Sequence, residues 1–407
     1  MKRKKLTASM IALVMSVSLP MTTYAANWYL EDGSVTVNAD NSGQTVTQGS
    51  GSAVPDEAPV ITQRESSVET GNTIAINASD NAAANVTIKD INIKSSKDAI
   101  DVTGSSSANI TLEGDNKIFS ETGSALHVSD GNVTINGSGS LKAEIQDDLG
   151  SDYNHNAKIG SHEKEDMSGS IHITGDATVK TDDNIASNCG GDGAGIGSGE
   201  DGEMSGNIVI DGNAQVEVFS NDRGAGIGSG DDGNLSGNIM IGGNAQVSAT
   251  GAENSAGIGA GDDGNFTGSI TMDGNARVTA KAGGDHNGSD GSGIGTGDEG
   301  KFTGTVTIGG NAAVVAAGSD EGCGIGSSDW KYMNGIIIIR DHAKVTAYAG
   351  NRGAAIGSED DWDMTGKIII VGNAIVNTGV VDDAGNVLSN RIGYIGGGEN
   401  SNHDSSK

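Results

Sequence analysis

Apolar residues recur along most of this chain with a basic period of 31 residues, and polar residues and glycines fill the intervals. The clearest marker of the period is an isoleucine followed by glycine, most often within Gly-Ile-Gly. A fixed period of this length indicates internal repeats, each too small to bury its apolar face alone. The equivalent isoleucines are Ile159, Ile196, Ile227, Ile258, Ile294, Ile325, Ile356 and Ile395.

Each repeat predicts three short strands separated by turns. A pair such as Ile239 and Ile241 alternates with polar residues, as a half-buried strand requires, and a second alternating segment around Val247 follows Gly-Asn-Ala. No helical period interrupts the repeats. The pattern therefore predicts an all-β fold, a right-handed single-stranded parallel β-helix, with about ten coils stacked roughly 4.8 Å apart.

Two further columns of equivalent residues are expected to have structural roles. The first is apolar and keeps phase with the isoleucines, which predicts interior packing. It contains Met167, Met204, Leu235, Phe266, Phe302, Met333 and Met364. The second lies in a tight turn, where asparagine amides can bond to the next coil in a ladder. It contains Asp176, Asn213, Asn244, Asn275, Asn311, His342 and Asn373, and we interpret His342 as a turn residue rather than a metal ligand.

Composition divides the chain into four segments. Residues 1–25 combine a basic start with a short apolar run, which is typical of a secretory signal peptide cleaved after Ala25. Residues 26–70 are interpreted as an N-terminal cap or lead-in, residues 71–398 as the β-helix, and residues 399–407 as a flexible tail. We therefore expect an extracellular protein, a monomer, with no membrane insertion.

Charge restricts the possible partners. Without residues 1–25 the chain has 20 basic and 54 acidic residues, a net charge of −34. Such a surface repels nucleic acid and anionic lipid. It suits cations, or anionic partners reached through bridging cations.

Pairs of acidic residues recur four and five positions after the marker isoleucine, in a glycine-rich loop. Stacked coils would place them on one wall, where neighbouring carboxylates about 5 Å apart repel one another. Carboxylates and loop carbonyls are the oxygen ligands that Ca²⁺ takes, so calcium binding is one interpretation. The alternative is a solvated edge that keeps a repetitive sheet protein soluble. The candidate metal ligands are Glu200, Asp201, Asp231, Asp232, Asp262, Asp263, Asp298, Glu299, Asp329, Asp360 and Asp361.

Three aromatic residues in these loops are candidate ligand-binding residues. Trp330, Tyr332 and Trp362 lie in two successive repeats, although aromatic residues make up only 3% of the chain. An aromatic face can cover the apolar face of a sugar ring. The alternative is that these rings cap the end of the solenoid, where stacking stops.

The two cysteines are not expected to form a disulfide. Cys189 and Cys323 lie four coils apart, about 19 Å along the axis and beyond the reach of a disulfide. Cys323 takes a small-residue position of the repeat, which predicts a buried thiol.

The run "GAGIGSG…SGNIVIDGNAQVEV", with the upstream "NITLEGDNKIFSETGSALHVSDGNVTINGSGSLKA", resembles secreted proteins of Gram-positive anaerobes with tandem GAGIGGG-type repeats. It is also similar to a carbohydrate-binding parallel β-helix family related in fold to pectate lyases. That resemblance implies calcium and an acidic, pectin-like polysaccharide as ligands.

Three functions remain open from the sequence. The first is a calcium-assisted polysaccharide binder that does not cleave its ligand, the second a surface adhesin or structural rod without a glycan ligand, and the third a polysaccharide lyase or glycosidase. Catalysis would need clustered carboxylates or a basic residue beside a cation. No such group is recognisable, and no arginine is expected on the acidic wall, so no catalytic residue is assigned.

Overall fold

The computed structural model describes residues 26–104, 107–146, 153–181, 191–220, 222–284, 289–328, 332–359, 364–381, 387–388 and 393–397. These residues form a parallel β-helix, in which three long sheets run side by side along a solenoid. Each coil contributes one strand to each sheet along most of the solenoid, and that strand pairs with its equivalents in the neighbouring coils. The expected all-β fold and its repeat register are confirmed.

Sheet 1 contains the marker isoleucines, and its strands in the regular coils are only two or three residues long. Its described pairings are parallel except for two antiparallel ones near the N-terminus, which join Val35–Asp40 to Gly43–Gln48 and Gly43–Gln48 to Val54–Pro55. Its strands are Val35–Asp40, Gly43–Gln48, Val54–Pro55, Ile74–Ala78, Ile100–Thr103, Leu126–Val128, Ile159–Gly160, Ile196–Gly197, Ile227–Gly228, Ile258–Gly259, Ile294–Gly295, Ile325–Ser327, Ile356–Ser358 and Ile395–Gly396.

Sheet 2 contains the alternating isoleucine pairs. Its strands are Asn27–Tyr29, Val60–Thr62, Ala83–Lys89, Ser107–Glu113, Asn132–Gly137, Ser170–Ile173, Asn207–Ile210, Asn238–Ile241, Ser269–Met272, Thr305–Ile308, Ile336–Ile339 and Lys367–Ile370.

Sheet 3 follows the Gly-Asn-Ala turn of each repeat. Its strands are Asn92–Ser95, Asp115–Ser120, Ser140–Ile145, Thr178–Thr181, Gln215–Phe219, Gln246–Thr250, Arg277–Lys281, Ala313–Ala317, Lys344–Ala349 and Ile375–Val380.

The N-terminal part already belongs to the sheets. Val35–Asp40 pairs in parallel with Ile74–Ala78 and also forms an antiparallel hairpin with Gly43–Gln48. The short 3-10 helix Leu30–Asp32 precedes that hairpin. Among the described residues, no helix has the length and apolar character needed to cross a bilayer.

The interior is a continuous apolar stack, because the inward residues of all three sheets keep the same phase in each coil. The Met and Phe column forms isolated parallel bridges from Met167 to Met333 and is buried there, as expected. Cys323 is buried as expected and is a free thiol, and burial raises its pKa to about 12. Cys189 lies outside the described residues.

The asparagine ladder also forms as predicted. The side-chain amide of Asn244 donates to Asn213 at 3.0 Å, and that of Asn275 donates to Asn244 at 3.0 Å. His342 takes the place of an asparagine, and its Nε2 lies 3.1 Å from the side-chain amide of Asn373. These exposed bonds hold equivalent turns in register.

The glycine after each marker isoleucine is required by the close approach of successive coils. Gly228 has a φ of +144° and pairs with Gly259 in the next coil. A Cβ added at Gly228 would lie 1.7 Å from the carbonyl oxygen of Gly259. Any side chain here would therefore force two coils apart.

Candidate functional site

The acidic pairs stack in register along one edge of sheet 1, which we call the acidic wall. Asp232 donates its backbone N–H to the carbonyl of Asp262 at 3.0 Å, and Asp263 does the same to Asp298. Equivalent loops are thus one coil apart. The described members of the wall are Glu200, Asp201, Asp231, Asp232, Asp262, Asp263, Asp298 and Glu299.

The two acids of a pair have different environments. The first is buried at Asp231 and Asp262, which are 7% and 5% exposed. The second is exposed and has positive φ, 55° at Asp232 and 53° at Asp263. The carboxylate of Asp231 accepts the backbone N–H of Asp232 at 3.1 Å. The repeated Asp-Asp therefore shapes the turn, in addition to any ligand that it binds.

Burial disfavours the charged form of the inner carboxylates. Burial, followed by the nearby carboxylate of Asp262, raises the pKa of Asp231 to about 8. Burial and then Asp298 raise the pKa of Asp262 to about 7. A buried carboxylate at neutral pH needs a proton, a cationic side chain or a metal ion to neutralise it.

Arg223 lies on the acidic wall, contrary to the expectation from sequence. The guanidinium of Arg223 lies 3.9 Å from a carboxylate oxygen of Asp231 and 3.9 Å from one of Asp262. Arg352, four residues before its marker isoleucine like Arg223, pairs with Glu321 at 2.6 Å. Arg223 therefore partly neutralises the acidic wall, whereas Arg352 contacts a carboxylate outside it.

Histidines near the N-terminal end of the acidic wall form a network that the sequence interpretation missed. The ring of His127 stacks on His162, with 3.9 Å between centroids, and its nitrogens lie 2.8 Å from Asp101 and 2.9 Å from Glu165. Burial opposes charge on His127, but the hydrogen bonds to these two carboxylates outweigh it and raise its pKa to about 9. Asp98 completes the network by contacting His162 at 2.7 Å.

A third histidine, His155, belongs to the same coil as His162 and lies among carboxylates of the next coil. His155 Nδ1 is 2.9 Å from Asp192 and 2.7 Å from Glu200. Within the described ranges, two groups place three ligating side chains close enough for one metal ion: Asp98 with His127 and His162, and His155 with Asp192 and Glu200. Of the predicted calcium ligands that the structure describes, only Glu200 belongs to such a group.

A shallow groove of about 480 Å³ crosses sheet 3 on the outside of the solenoid. It crosses six successive strands, from Thr178–Thr181 to Lys344–Ala349. The five spacings between these strands add up to about 24 Å. Its outward-facing lining is mostly polar. The lining side chains that point outward are Thr178, Lys180, Gln215, Glu217, Gln246, Ser248, Arg277, Thr279, Ala313, Val315, Lys344 and Thr346.

The charge of the groove is opposite to that of the whole chain. Lys180, Arg277 and Lys344 line it with one carboxylate, Glu217, which pairs with Lys180 at 2.6 Å. Among the described residues, Arg277 and Lys344 form no ion pair. Two exposed cations are therefore available in the groove of a protein whose net charge is −30.

Six predicted site residues belong to the last two acidic loops. Tyr332 is described and is 39% exposed. The others lie outside the described residues, namely Asp329, Trp330, Asp360, Asp361 and Trp362. The predicted aromatic platform therefore stays a prediction.

The fold defines this protein as a parallel β-helix solenoid. No protein-family model matches the chain, and no similar protein was found among curated proteins or solved structures. The resemblance to secreted GAGIGGG-type repeat proteins stays a prediction.

Proposed function

We propose that this protein is secreted and binds an acidic polysaccharide without cleaving it, in the groove on sheet 3, with calcium bound along the acidic wall. The observation that carries the proposal is the pair of cationic side chains, Arg277 and Lys344, in an open groove on an acidic solenoid. An extended groove suits a polymer, since successive coils offer similar contacts at regular intervals.

The lining provides the contacts that a charged glycan needs. Arginine binds a carboxylate through two parallel hydrogen bonds, and lysine adds a point charge. The amides of Gln215 and Gln246, exposed in the same groove, can donate to and accept from sugar hydroxyls. The groove thus supports recognition of an acidic sugar.

The same lining favours binding over hydrolysis. Glycosidases of the common type use two carboxylates that flank the scissile bond. The described lining holds one, Glu217, and Lys180 neutralises it. Glycan release in a reducing-sugar assay would overturn this part of the proposal.

Calcium is supported by the buried inner carboxylates of the acidic wall. Asp231 and Asp262 lie in adjacent coils, and their shared neighbour Arg223 is 3.9 Å from each. Hard divalent cations bind such oxygens. Trp330, Tyr332 and Trp362 remain the proposed aromatic contacts for sugar rings, and replacing both tryptophans by Ala should weaken glycan retention without lowering the melting temperature.

Affinity electrophoresis in gels containing polygalacturonate tests the groove. The variant Arg277→Gln/Lys344→Gln should lose most of the retardation, and added salt should weaken that of the parent. The matched control is Lys281→Gln/Lys367→Gln, which also removes two exposed cations but leaves the groove lining unchanged. Equal losses in both variants would show only a net-charge effect and contradict the groove assignment.

Calcium needs a separate test. Calcium should raise the melting temperature of the parent, because an ion that binds only the folded state stabilises it. The variant with Asp231, Asp232, Asp262 and Asp263 all changed to Asn should lose most of that rise. An unchanged response to calcium in this variant would exclude these residues as the ligands.

A further inference from the structure

His155, Asp192 and Glu200 converge from two successive coils at the N-terminal end of the acidic wall. His155 lies four residues before its marker isoleucine, and Asp192 occupies the same place in the next coil. Glu200 is held beside them because its backbone N–H donates to the carbonyl of His155 at 3.0 Å. The three side chains are 13 to 24% exposed, so all are largely shielded from solvent.

The contacts among these groups are short but are not hydrogen bonds. Nδ1 of His155 lies 2.9 Å from an oxygen of Asp192 and 2.7 Å from one of Glu200, yet neither contact is aligned as a hydrogen bond. Nδ1 and the second carboxylate oxygen of Asp192 are both buried without a hydrogen-bond partner in the described part of the chain. Buried polar atoms in proteins are nearly always paired, so two orphans in one cluster indicate a missing ligand.

We propose that His155, Asp192 and Glu200 form a binding site for a divalent transition metal of the zinc class. One imidazole and two carboxylates are common zinc ligands, and three protein ligands leave one position for water. Imidazole favours such borderline metals over Ca²⁺, which takes oxygen ligands. The site therefore differs in chemistry from the calcium proposed for the rest of the acidic wall.

The geometry needs only a small adjustment to accept the ion. Tetrahedral ligands with bonds near 2.1 Å lie about 3.4 Å apart, so Nδ1 and the two carboxylate oxygens, now 2.9 and 2.7 Å apart, must separate by about 0.5 to 0.7 Å. Metal binding at Nδ1 requires an unprotonated ring nitrogen. It would also join two successive coils.

The neighbouring histidine cluster is a weaker candidate, although Asp98, His127 and His162 are equally close together. Both ring nitrogens of His127 already contact carboxylates at hydrogen-bond distance, and His162 contacts Asp98 at 2.7 Å. A metal there would have to displace existing bonds. At His155, in contrast, the ion would contact buried polar atoms that have no hydrogen-bond partner.

Zinc titration of the full mature chain, stripped with chelator, tests the proposal by competition with a chromogenic zinc chelator. His155→Gln and Asp192→Asn should each weaken zinc binding at least tenfold. The matched control is His172→Gln, which removes a half-buried histidine that contacts one carboxylate, Asp211, at 3.0 Å. The control should bind zinc as the parent does.

Two outcomes would overturn the assignment. One is unchanged zinc affinity in His155→Gln, and the other is loss of affinity in His162→Gln while His155→Gln still binds. If the variants do not fold, zinc should protect His155 of the parent from diethyl pyrocarbonate, read by mass spectrometry, and equal modification with and without zinc would refute the site. The four-Asp variant of the acidic wall keeps all three ligands, so failure of calcium binding and failure of this site are distinguishable.

Discussion

Replacing Gly228 by Ala should destabilise the solenoid far more than the addition of one methyl group suggests. The new Cβ would lie 1.7 Å from the carbonyl oxygen of Gly259, where a normal carbon–oxygen contact is about 3.3 Å. The two coils would have to separate by about 1.6 Å, a third of the roughly 4.8 Å between them.

The cost follows from the bonds that such a separation breaks. Ser229 donates to Gly259 at 3.2 Å and Ile227 donates to Gly257 at 3.1 Å, and neither bond survives a shift of that size. Two lost hydrogen bonds cost about 2 kcal/mol. The φ of +144° at Gly228 adds about 1–3 kcal/mol of backbone strain for a residue with a side chain. We therefore expect the free energy of unfolding to fall by about 3–5 kcal/mol.

Urea denaturation followed by circular dichroism measures this loss, and Gly242→Ala is the matched control. Gly242 belongs to the same repeat, and a Cβ added there has no atom within 4 Å. The control should be as stable as the parent, or slightly more so because alanine restricts the unfolded chain. If both variants denature at the same urea concentration, the coils do not approach each other closely at Gly228.

Three further predictions concern pH and packing. In chelator, the free energy of unfolding should fall as the pH rises from about 4 to 8. The pKa values of Asp231 and Asp262 are raised in the folded state, so the folded protein binds protons in this range that the unfolded chain has already lost. Changing both residues to Asn should flatten the pH profile. The imidazolium of His127 should contribute stability below about pH 6.5 that disappears as pH rises through about 9, and His127→Gln should remove this step from the pH profile. Ile239→Ala should lower the free energy of unfolding by about 2–5 kcal/mol in urea denaturation, because Ile239 is fully buried. Met240→Ala, on the exposed face of the same strand, should lower it by less than about 0.5 kcal/mol. Equal losses would contradict the inward direction of Ile239.

The fold could be predicted because an interior stack requires the same residue type at the same phase in every coil. Ile208, Ile239 and Ile270 are 31 residues apart, and the structure pairs them directly. A repeated period therefore carries three-dimensional information in this fold. Irregular segments, such as the hairpin that begins at Val35, are not repeated along the chain, so no period reveals them.

The candidate site was less predictable because its residues lie next to loops of variable length. Counting back four positions from the marker isoleucine gives one polar column, because the segment of variable length lies further towards the N-terminus. The column contains His155, Asp192, Arg223, Asn254, Asp290, Glu321 and Arg352. That phase would have placed Arg223 on the acidic wall. It would not have shown that His155 reaches Glu200 of the next coil, because this contact depends on side-chain direction across the stack.

The direction of the inter-coil ladders also determines how the solenoid responds to force. In all three sheets the hydrogen bonds between coils point along the solenoid axis, so tension between its ends loads each bond along its length. The strands of one junction share that load in parallel, whereas successive junctions are connected in series. The junction with the fewest bonds therefore sets the breaking force, and adding coils lengthens the solenoid without strengthening it. Under tension the solenoid should separate at one coil boundary while the remaining coils keep their structure.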